Sequence, residues 1–384
     1  MKIIIPTVSR SDFSILLPLI KILKKNSKFK IKTLVTGEHY SKKMGNTLKE
    51  ISNHKIQANL KIKLKEYKSN PQSILKKSSK IIDKFSNIIK SIKPNLIIVL
   101  GDKYETLIIA FCAFIYRIPI VHIHGGEKTI GSLDDTFRHQ ISKMADLHFV
   151  EREVYKKRLI QLGENSKNII VCGSLARESL KEKKFYDLKF LEDKFKIKFF
   201  KKNLIFTYHP EIGKKLKKKV LNNIFLIFEK NPNIKFIITS PNLDSGSDYI
   251  RDLINKKKGL KNVDYVKSFG EDYYFSVLKI VDGIIGNSSS GLIEAPALKK
   301  FTINIGIRQK GRFLEKSVIN CSNNLYEIQK SINIAYSKKF KNNILNYKLK
   351  KNIKTSNKIL KSLRRFDYKK DRYKVFNDIN FKNK

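Results

Sequence analysis

The sequence predicts an α/β protein of two domains, each built on a parallel sheet. Three observations carry this expectation. Short apolar runs alternate with longer amphipathic segments, the pattern of βαβ units. At 384 residues the chain exceeds one average domain and suits two, each able to bury a core. The strand–helix alternation also restarts after the Lys-rich segment 178–202, although the two halves do not repeat each other in sequence. Two similar α/β domains facing across a cleft, over 1–177 and 178–350, followed by a C-terminal helix and tail over 351–384, is the simplest architecture.

In order, Lys2 to Thr7 reads as a buried strand, and Val8 to Asp12 leads into an apolar-periodic helix from Phe13 to Leu23. No GxGxxG follows this strand, so the dinucleotide fingerprint is absent. Arg10 instead stands at a helix N-terminus, where backbone N–H groups and a guanidinium together suit a phosphate. Lys30 to Thr36 is a second strand, ending at the polar loop Gly37-Glu38-His39. A strand from Leu60 to Tyr67 and a helix from Gln72 to Ile92 precede two further strands, Asn95 to Leu100 and Ile118 to Ile123. Then come the helix 136–145, the strand Leu147 to Val150, the helix 151–162 ended by Gly163, and the strand 168–172. The second half offers strands at 203–207, 234–239, 263–266 and 283–285, with helices at 214–229, 247–255, 272–281 and 292–298. Residues 325–337 and 347–366 read as helical. The remaining Lys/Asn/Tyr tail reads as solvated surface.

Composition bounds the function. No apolar run reaches the ~18 residues of a spanning helix, and no signal peptide precedes the first strand, so a soluble, cytoplasmic protein with no membrane partner is expected. Cys112, Cys172 and Cys321 are odd in number and lack CxxC spacing, which argues for buried reduced thiols. The net charge of +46 invites a polyanion-binding reading. Yet the Lys is spread along the whole chain, whereas a nucleic-acid footprint is localised, so no nucleic-acid partner is expected. A basic field would still draw in an anionic substrate.

The richest chemistry lies between Gly101 and His139. Two strands there stop at loops crowded with ionisable groups and glycine, and ligands of parallel sheets bind beyond the carboxyl ends of strands. Asp102, His122, His124, Glu127, Asp134, Asp135, Arg138 and His139 all fall in this stretch. Imidazole beside carboxylates suits acid/base work. A metal site is the rival, but no HExxH or similar spacing supports it. In the second half, Gly286-Asn287-Ser288-Ser289-Ser290-Gly291 follows a strand and opens a helix. Small residues, hydroxyls and a helix N-terminus make a diphosphate cradle in physical terms, against the plainer reading of a serine N-cap. Glu294 falls on the first turn of that helix, able to accept from ribose hydroxyls, and Arg308 again follows a strand and could face a phosphate.

Six blocks, GDKYE, HIHGGEKTIGSLDDTFRH, YHPE, NLDSGSD, GNSSSGLIEAPALK and INIGIRQKGR, resemble in order and spacing the hydrolysing UDP-N-acetylglucosamine 2-epimerases. The resemblance runs from the first strand to about Val318. It implies two Rossmann-like domains of the glycosyltransferase B type, with UDP held mainly by the second. It also implies conversion of UDP-N-acetylglucosamine and water to UDP and N-acetylmannosamine for sialic or other nonulosonic acid synthesis, without nicotinamide or metal cofactor, in a dimer or tetramer. By motif, Asp102 and Asp134 resemble catalytic aspartates, His209 a histidine that contacts the diphosphate, Ser288 and Ser289 the phosphate-binding serines, and Glu294 the ribose-binding glutamate. The chemistry so implied also suits Glu127 beside the sugar and Arg10 and Arg308 at the phosphates, with Asn242 a further expected UDP contact. One departure stands out: several relatives read HIEGGE where this chain has HIHGGE, so His124 replaces a catalytic glutamate. The expected essential pair is Asp102 and Glu127, with the base either Glu127 itself or a role that His124 shares. A 2,4-diacetamido-trideoxy UDP sugar, or the non-hydrolysing reaction, is the alternative within the family.

Overall fold

The computed structural model describes residues 1–41, 47–64, 70–130, 133–181, 183–211, 218–241, 247–346, 354–369 and 373–379. The chain forms two compact units. One comprises Met1–Glu127, Leu133–Ser179 and Asn352–Lys384; the other comprises Lys128–Ser132 and Leu180–Lys351.

The first unit runs β1 (Lys2–Thr7), α1 (Arg10–Lys24), β2 (Lys30–Val35), α2 (Leu48–Asn53), β3 (Leu60–Lys61), α3 (Pro71–Ile92), β4 (Leu96–Leu100), α4 (Tyr104–Ile115), β5 (Ile120–Ile123), α5 (Leu133–Met144), β6 (Leu147–Val150), α6 (Glu153–Gln161) and β7 (Ile169–Val171). α7 (Leu175–Lys181) leads out of it. The second runs α8 (Leu188–Phe195), β8 (Asn203–Thr207), α9 (Lys218–Phe225), α10 (Ile227–Lys230), β9 (Lys235–Thr239), α11 (Ser247–Lys257), β10 (Val263–Val266), α12 (Glu271–Ile280), β11 (Gly283–Gly286), α13 (Ser290–Ala297), β12 (Phe301–Ile305), β13 (Val318–Cys321), α14 (Leu325–Tyr336) and α15 (Lys338–Asn346). α16 (Thr355–Arg365) returns to the first unit.

Both sheets are parallel throughout, with strand orders β3-β2-β1-β4-β5-β6-β7 and β10-β9-β8-β11-β12-β13. The side-chain period of two divides each central strand between two cores. Ile3 and Ile5 of β1 and Leu96, Ile98 and Leu100 of β4 join α1 and α16 on one face. Ile4, Ile97 and Val99 join α3 and α4 on the other. In the second sheet Leu204 and Phe206 enter one core and Ile205 the opposite one. Strands covered on both faces explain the near-continuous apolar runs in the sequence. In each order the direction of winding reverses once, between β1 and β4 and between β8 and β11, and a crevice opens beyond the strand ends at such a reversal.

Several sequence expectations change. The helix expected at 214–229 is described as two pieces, α9 and α10, and its start lies outside the described residues. β13 and α15 were not expected: β13 is a four-residue edge strand too short to stand out, and α15 is a short segment dominated by Lys and Asn. Cys112 and Cys172 are buried as expected, but Cys321, on edge strand β13, is only half-buried. The tail is not plain solvated surface: Lys374 bonds the carbonyl of Ala145 at 2.6 Å and the carboxylate of Glu164, and the Asn377 N–H donates to Gly163 O at 3.0 Å. Among the described residues no helix is long and apolar enough to cross a membrane.

Candidate active site

The reversal point of the first sheet collects the loops that follow β1, β2, β4 and β5. After β1, Ser9 caps α1 by accepting from the Asp12 N–H, which places Arg10 as the first helical residue. After β2, His39 is fully buried, with Nε2 2.9 Å from Thr7 Oγ1 and Nδ1 2.7 Å from Thr47 Oγ1. Burial, helped by the Lys103 charge, pushes its pKa down to about 4. It is a satisfied core histidine rather than an acid/base group. Lys103 pairs with Glu38 at 3.0 Å. Burial works against its ammonium form, but Glu38, Asp12 and Glu105 outweigh that and hold its pKa up. Burial raises the Glu105 carboxyl to about 7, partly countered by Lys103.

Asp102 follows the left-handed Gly101 at the end of β4 and accepts from the guanidinium of Arg138, a buried residue of α5. Arg138 also approaches Asp135 at 3.7 Å, and Asp135 lies 3.6 Å from His139 Nε2. Helical spacing explains this grouping, because Arg138 and His139 stand three and four residues beyond Asp135. Asp134 begins the same helix, half-buried. At the end of the neighbouring strand β5, His124 takes φ +66°, rare for a side chain larger than glycine, and its N–H bonds Phe149 O at 3.0 Å. Its Nδ1 lies 3.3 Å from Glu127 Oε1, and both residues are buried. The structure thus brings Asp102 to Arg138, and His124 to Glu127, at the ends of paired strands.

The reversal point of the second unit repeats this logic with different chemistry. β11 ends at Gly286, whose φ of +133° and close approach to Thr207 O leave no room for a Cβ. Asn287, fully buried, accepts from the His209 N–H at 2.7 Å and donates to the His209 carbonyl at 2.9 Å through its side chain. Its own carbonyl accepts from Arg308 at 3.1 Å and Gln309 at 2.8 Å. Asn287 therefore gathers the loops after β8, β11 and β12. Ser288 and Ser289 follow and open α13. The Ser289 side chain makes no capping bond, whereas the Ser288 hydroxyl accepts from the Ser290 N–H at 3.4 Å, so the N-cap reading holds in part at Ser288 alone. The Ser290 hydroxyl accepts from Tyr274 at 2.7 Å. Glu294 is the fifth residue of α13, so it stands past the first turn expected for it. Asn242 lies outside the described residues.

Sequence reasoning gave no role to Lys103, and it placed Arg138 and Asn287 in candidate stretches without assigning either a partner. Arg138 carried a usable signal, its helical spacing from Asp135. Asn287 carried none, because an asparagine before a serine run looks like turn material until its amide is seen paired with a distant backbone. Among the described residues no group of three or more His, Cys, Asp or Glu is arranged to hold a metal ion.

Residues 21–364 match the UDP-N-acetylglucosamine 2-epimerase family model. The chain is 34% identical over 345 residues, 89% of each protein, to a Campylobacter jejuni protein named GDP/UDP-N,N'-diacetylbacillosamine 2-epimerase (hydrolyzing). It is 35% identical over 348 residues, 88% of this chain and 87% of the other, to the polysialic acid biosynthesis protein P7 of Escherichia coli. The fold is shared with a crystal structure of UDP-GlcNAc 2-epimerase from Neisseria meningitidis bound to UDP-GlcNAc, at a TM-score of 0.82 and 19% identity over 95% of this chain and 100% of that one. The two parallel-sheet units are thus of the glycosyltransferase B type. With its reversal-point carboxylates and serine loop on that scaffold, the chain belongs to the UDP-N-acetylglucosamine 2-epimerase family.

Proposed function

We propose that the protein is a hydrolysing 2-epimerase that converts UDP-N-acetylglucosamine and water to UDP and N-acetylmannosamine. The observation that carries the reading is the Asp102–Arg138 ion pair at the end of β4 beside the His124–Glu127 pair at the end of β5. Its chemistry begins with loss of UDP. The C1–O bond breaks with its electron pair leaving on the diphosphate, the C2 proton goes to a base, and a C1=C2 double bond forms, giving 2-acetamidoglucal. Water then adds its hydroxyl to C1 and a proton to C2 on the face that inverts the centre.

The C2 proton is barely acidic, so C1–O cleavage leads and positive charge builds at C1. Asp102, held in place by Arg138, suits that charge. Glu127 suits the role of partner to the His124 Nδ1–H, which leaves Nε2 to accept the C2 proton, and Asp134 suits proton return. The departing diphosphate calls for donors, a role given to Arg10, His209, Ser288, Ser289 and Arg308, with α13 adding its N-terminal dipole. Glu294 and Asn242 complete the proposed UDP contacts, and the expected assembly is a dimer or tetramer.

A second reading keeps the chemistry and changes the sugar to a UDP-2,4-diacetamido-2,4,6-trideoxyhexose. It is favoured by the names of the C. jejuni relative and of a 29% identical Legionella pneumophila relative, UDP-N,N'-diacetylbacillosamine 2-epimerase (hydrolyzing). Proton NMR of the purified protein with each nucleotide sugar in heavy water decides. Free UDP and a 2-epimer deuterated at C2 are expected. Release of UDP-N-acetylmannosamine instead would move the protein to the non-hydrolysing branch.

A further inference from the structure

We infer that His122 and Ser142 form a buried positioning pair that holds three segments of the proposed catalytic machinery in register. The inference rests on the assignment of Asp102 and Glu127 made above. β5 is buried at all four positions, and an imidazole there replaces what an apolar side chain would fill more cheaply. The ring is nevertheless fully satisfied, with Nε2 2.9 Å from the Gly101 carbonyl and Nδ1 3.0 Å from Ser142 Oγ. A carbonyl oxygen only accepts, so Nε2 carries the proton. Nδ1 is then the acceptor, and the Ser142 hydroxyl donates to it. Burial pushes the His122 pKa down to about 3, the Gly101 hydrogen bond opposing, so the ring stays neutral.

Each contact ends on a segment that carries a proposed catalytic group. Gly101 immediately precedes Asp102. Ser142 lies one helical turn beyond Arg138, the residue that grips Asp102, on the helix that also bears Asp134. Gly125 sits between His124 and Glu127 and packs directly on the pair: a Cβ there would lie 2.9 Å from Ser142 Oγ and 3.0 Å from His122 Nδ1. The loop after β4, the loop after β5 and α5 therefore meet at one hydroxyl–imidazole contact. Neither residue is placed to touch substrate in this account; both act by fixing the groups that do.

Two measurements test the pair. In kinetics on whichever nucleotide sugar the protein turns over, Ser142→Ala and His122→Phe lower kcat by about 10- to 100-fold while KM moves less than about threefold, because small misplacements of reacting groups cost rate rather than binding. His122→Gln, which keeps a terminal amide donor able to reach Gly101, recovers part of the loss. Unchanged kcat in Ser142→Ala, with or without a lower Tm, overturns the inference. The second measurement needs no turnover: long-range 1H–15N spectra of the full chain read the His122 tautomer. The Nε2–H form throughout pH 6–8 is expected, with the amides of Gly101, Asp102 and Gly125 shifting together in Ser142→Ala. An Nδ1–H tautomer, or shifts confined to α5, overturns it. If no sugar is turned over, the proposed function fails while this second result still decides the pair.

Discussion

At the residue scale, His124 has a carboxylate partner, since Glu127 Oε1 sits 3.3 Å from its Nδ1, which suits the proposed role of base. Acid/base groups and groups that stabilise developing charge each contribute about 100-fold or more, so Glu127→Gln and Asp102→Asn are each expected to lower kcat by at least about 100-fold. UDP affinity by calorimetry should stay within about threefold of the parent, since these groups are assigned to the sugar chemistry. Equal activity in Glu127→Gln would sink the assignment. Ser289→Ala reads the opposite way. Its hydroxyl is not used in capping, so its loss should weaken UDP binding by about 1 kcal/mol with no change in Tm beyond about 2 °C. Asp102, Glu127 and the serines were visible in the sequence because each follows a recognisable strand. The partners of Arg138 and Asn287 were not, since they are 36 and 78 residues away and only folding brings them close.

At the element scale, the C-terminal segment belongs to the first unit. Ile359, Leu360 and Leu363 of α16 enter the core that α1 lines, and Thr355 and Ser356 bond Cys172 O and Glu178. Beyond it, Lys374 reaches the buried Glu164, which also bonds His148 Nε2 at 3.0 Å and approaches Lys143 at 3.2 Å. Burial alone would raise the Glu164 pKa, but the hydrogen bonds from His148 and Lys374 outweigh it and hold the carboxyl below its usual range. Lys374→Met should therefore cost about 1–3 kcal/mol in urea unfolding, and removal of residues 367–384 a similar amount, because each leaves a buried carboxylate short of a cation. A truncated chain as stable as the parent would show that the tail only rests on the surface. The amphipathic spacing of α16 was legible. The tail's docking was not, since one lysine among so many carries no signal of its own.

At the whole-molecule scale, two global properties follow from charge. With a net charge of +46, capture of an anionic nucleotide sugar should be steered, so kcat/KM should fall severalfold as ionic strength rises from about 0.05 to 0.5 M while kcat changes little. Stability should also fall with pH below neutrality. His39, His122 and His148 are all kept neutral by burial, with pKa values below the 6.5 of the unfolded chain. Between about pH 6.5 and 4.5 the unfolded chain takes up protons at His39 and His122 that the folded one resists, with His148 acting in the same direction, so this contribution is present above 6.5 and lost as pH falls. Glu105, raised to about 7, works the other way, as does Asp12, because the folded state favours their protonated forms. His39 and His122, held down to about 4 and 3, outnumber Glu105, held up to about 7, so the net is a loss on the order of 1 kcal/mol per pH unit as pH falls, readable as a falling urea midpoint. A midpoint that rises on acidification would contradict the buried, neutral state of the histidines.

The sequence by itself determined the α/β class, the place of the central strands and the family, because strand-then-loop patterning and the six motif blocks are local in the chain. It also placed the acidic and serine-rich loops after strands, where parallel sheets present their ligands. Only the tertiary structure decided which of those polar residues are closed off by partners inside the core. His39 and His122 read like His124 in one dimension, yet two threonines enclose the first, and a carbonyl and a serine the second. The physical reason is that burial and hydrogen-bond partners set the protonation state of an imidazole, and both are supplied by residues distant in sequence.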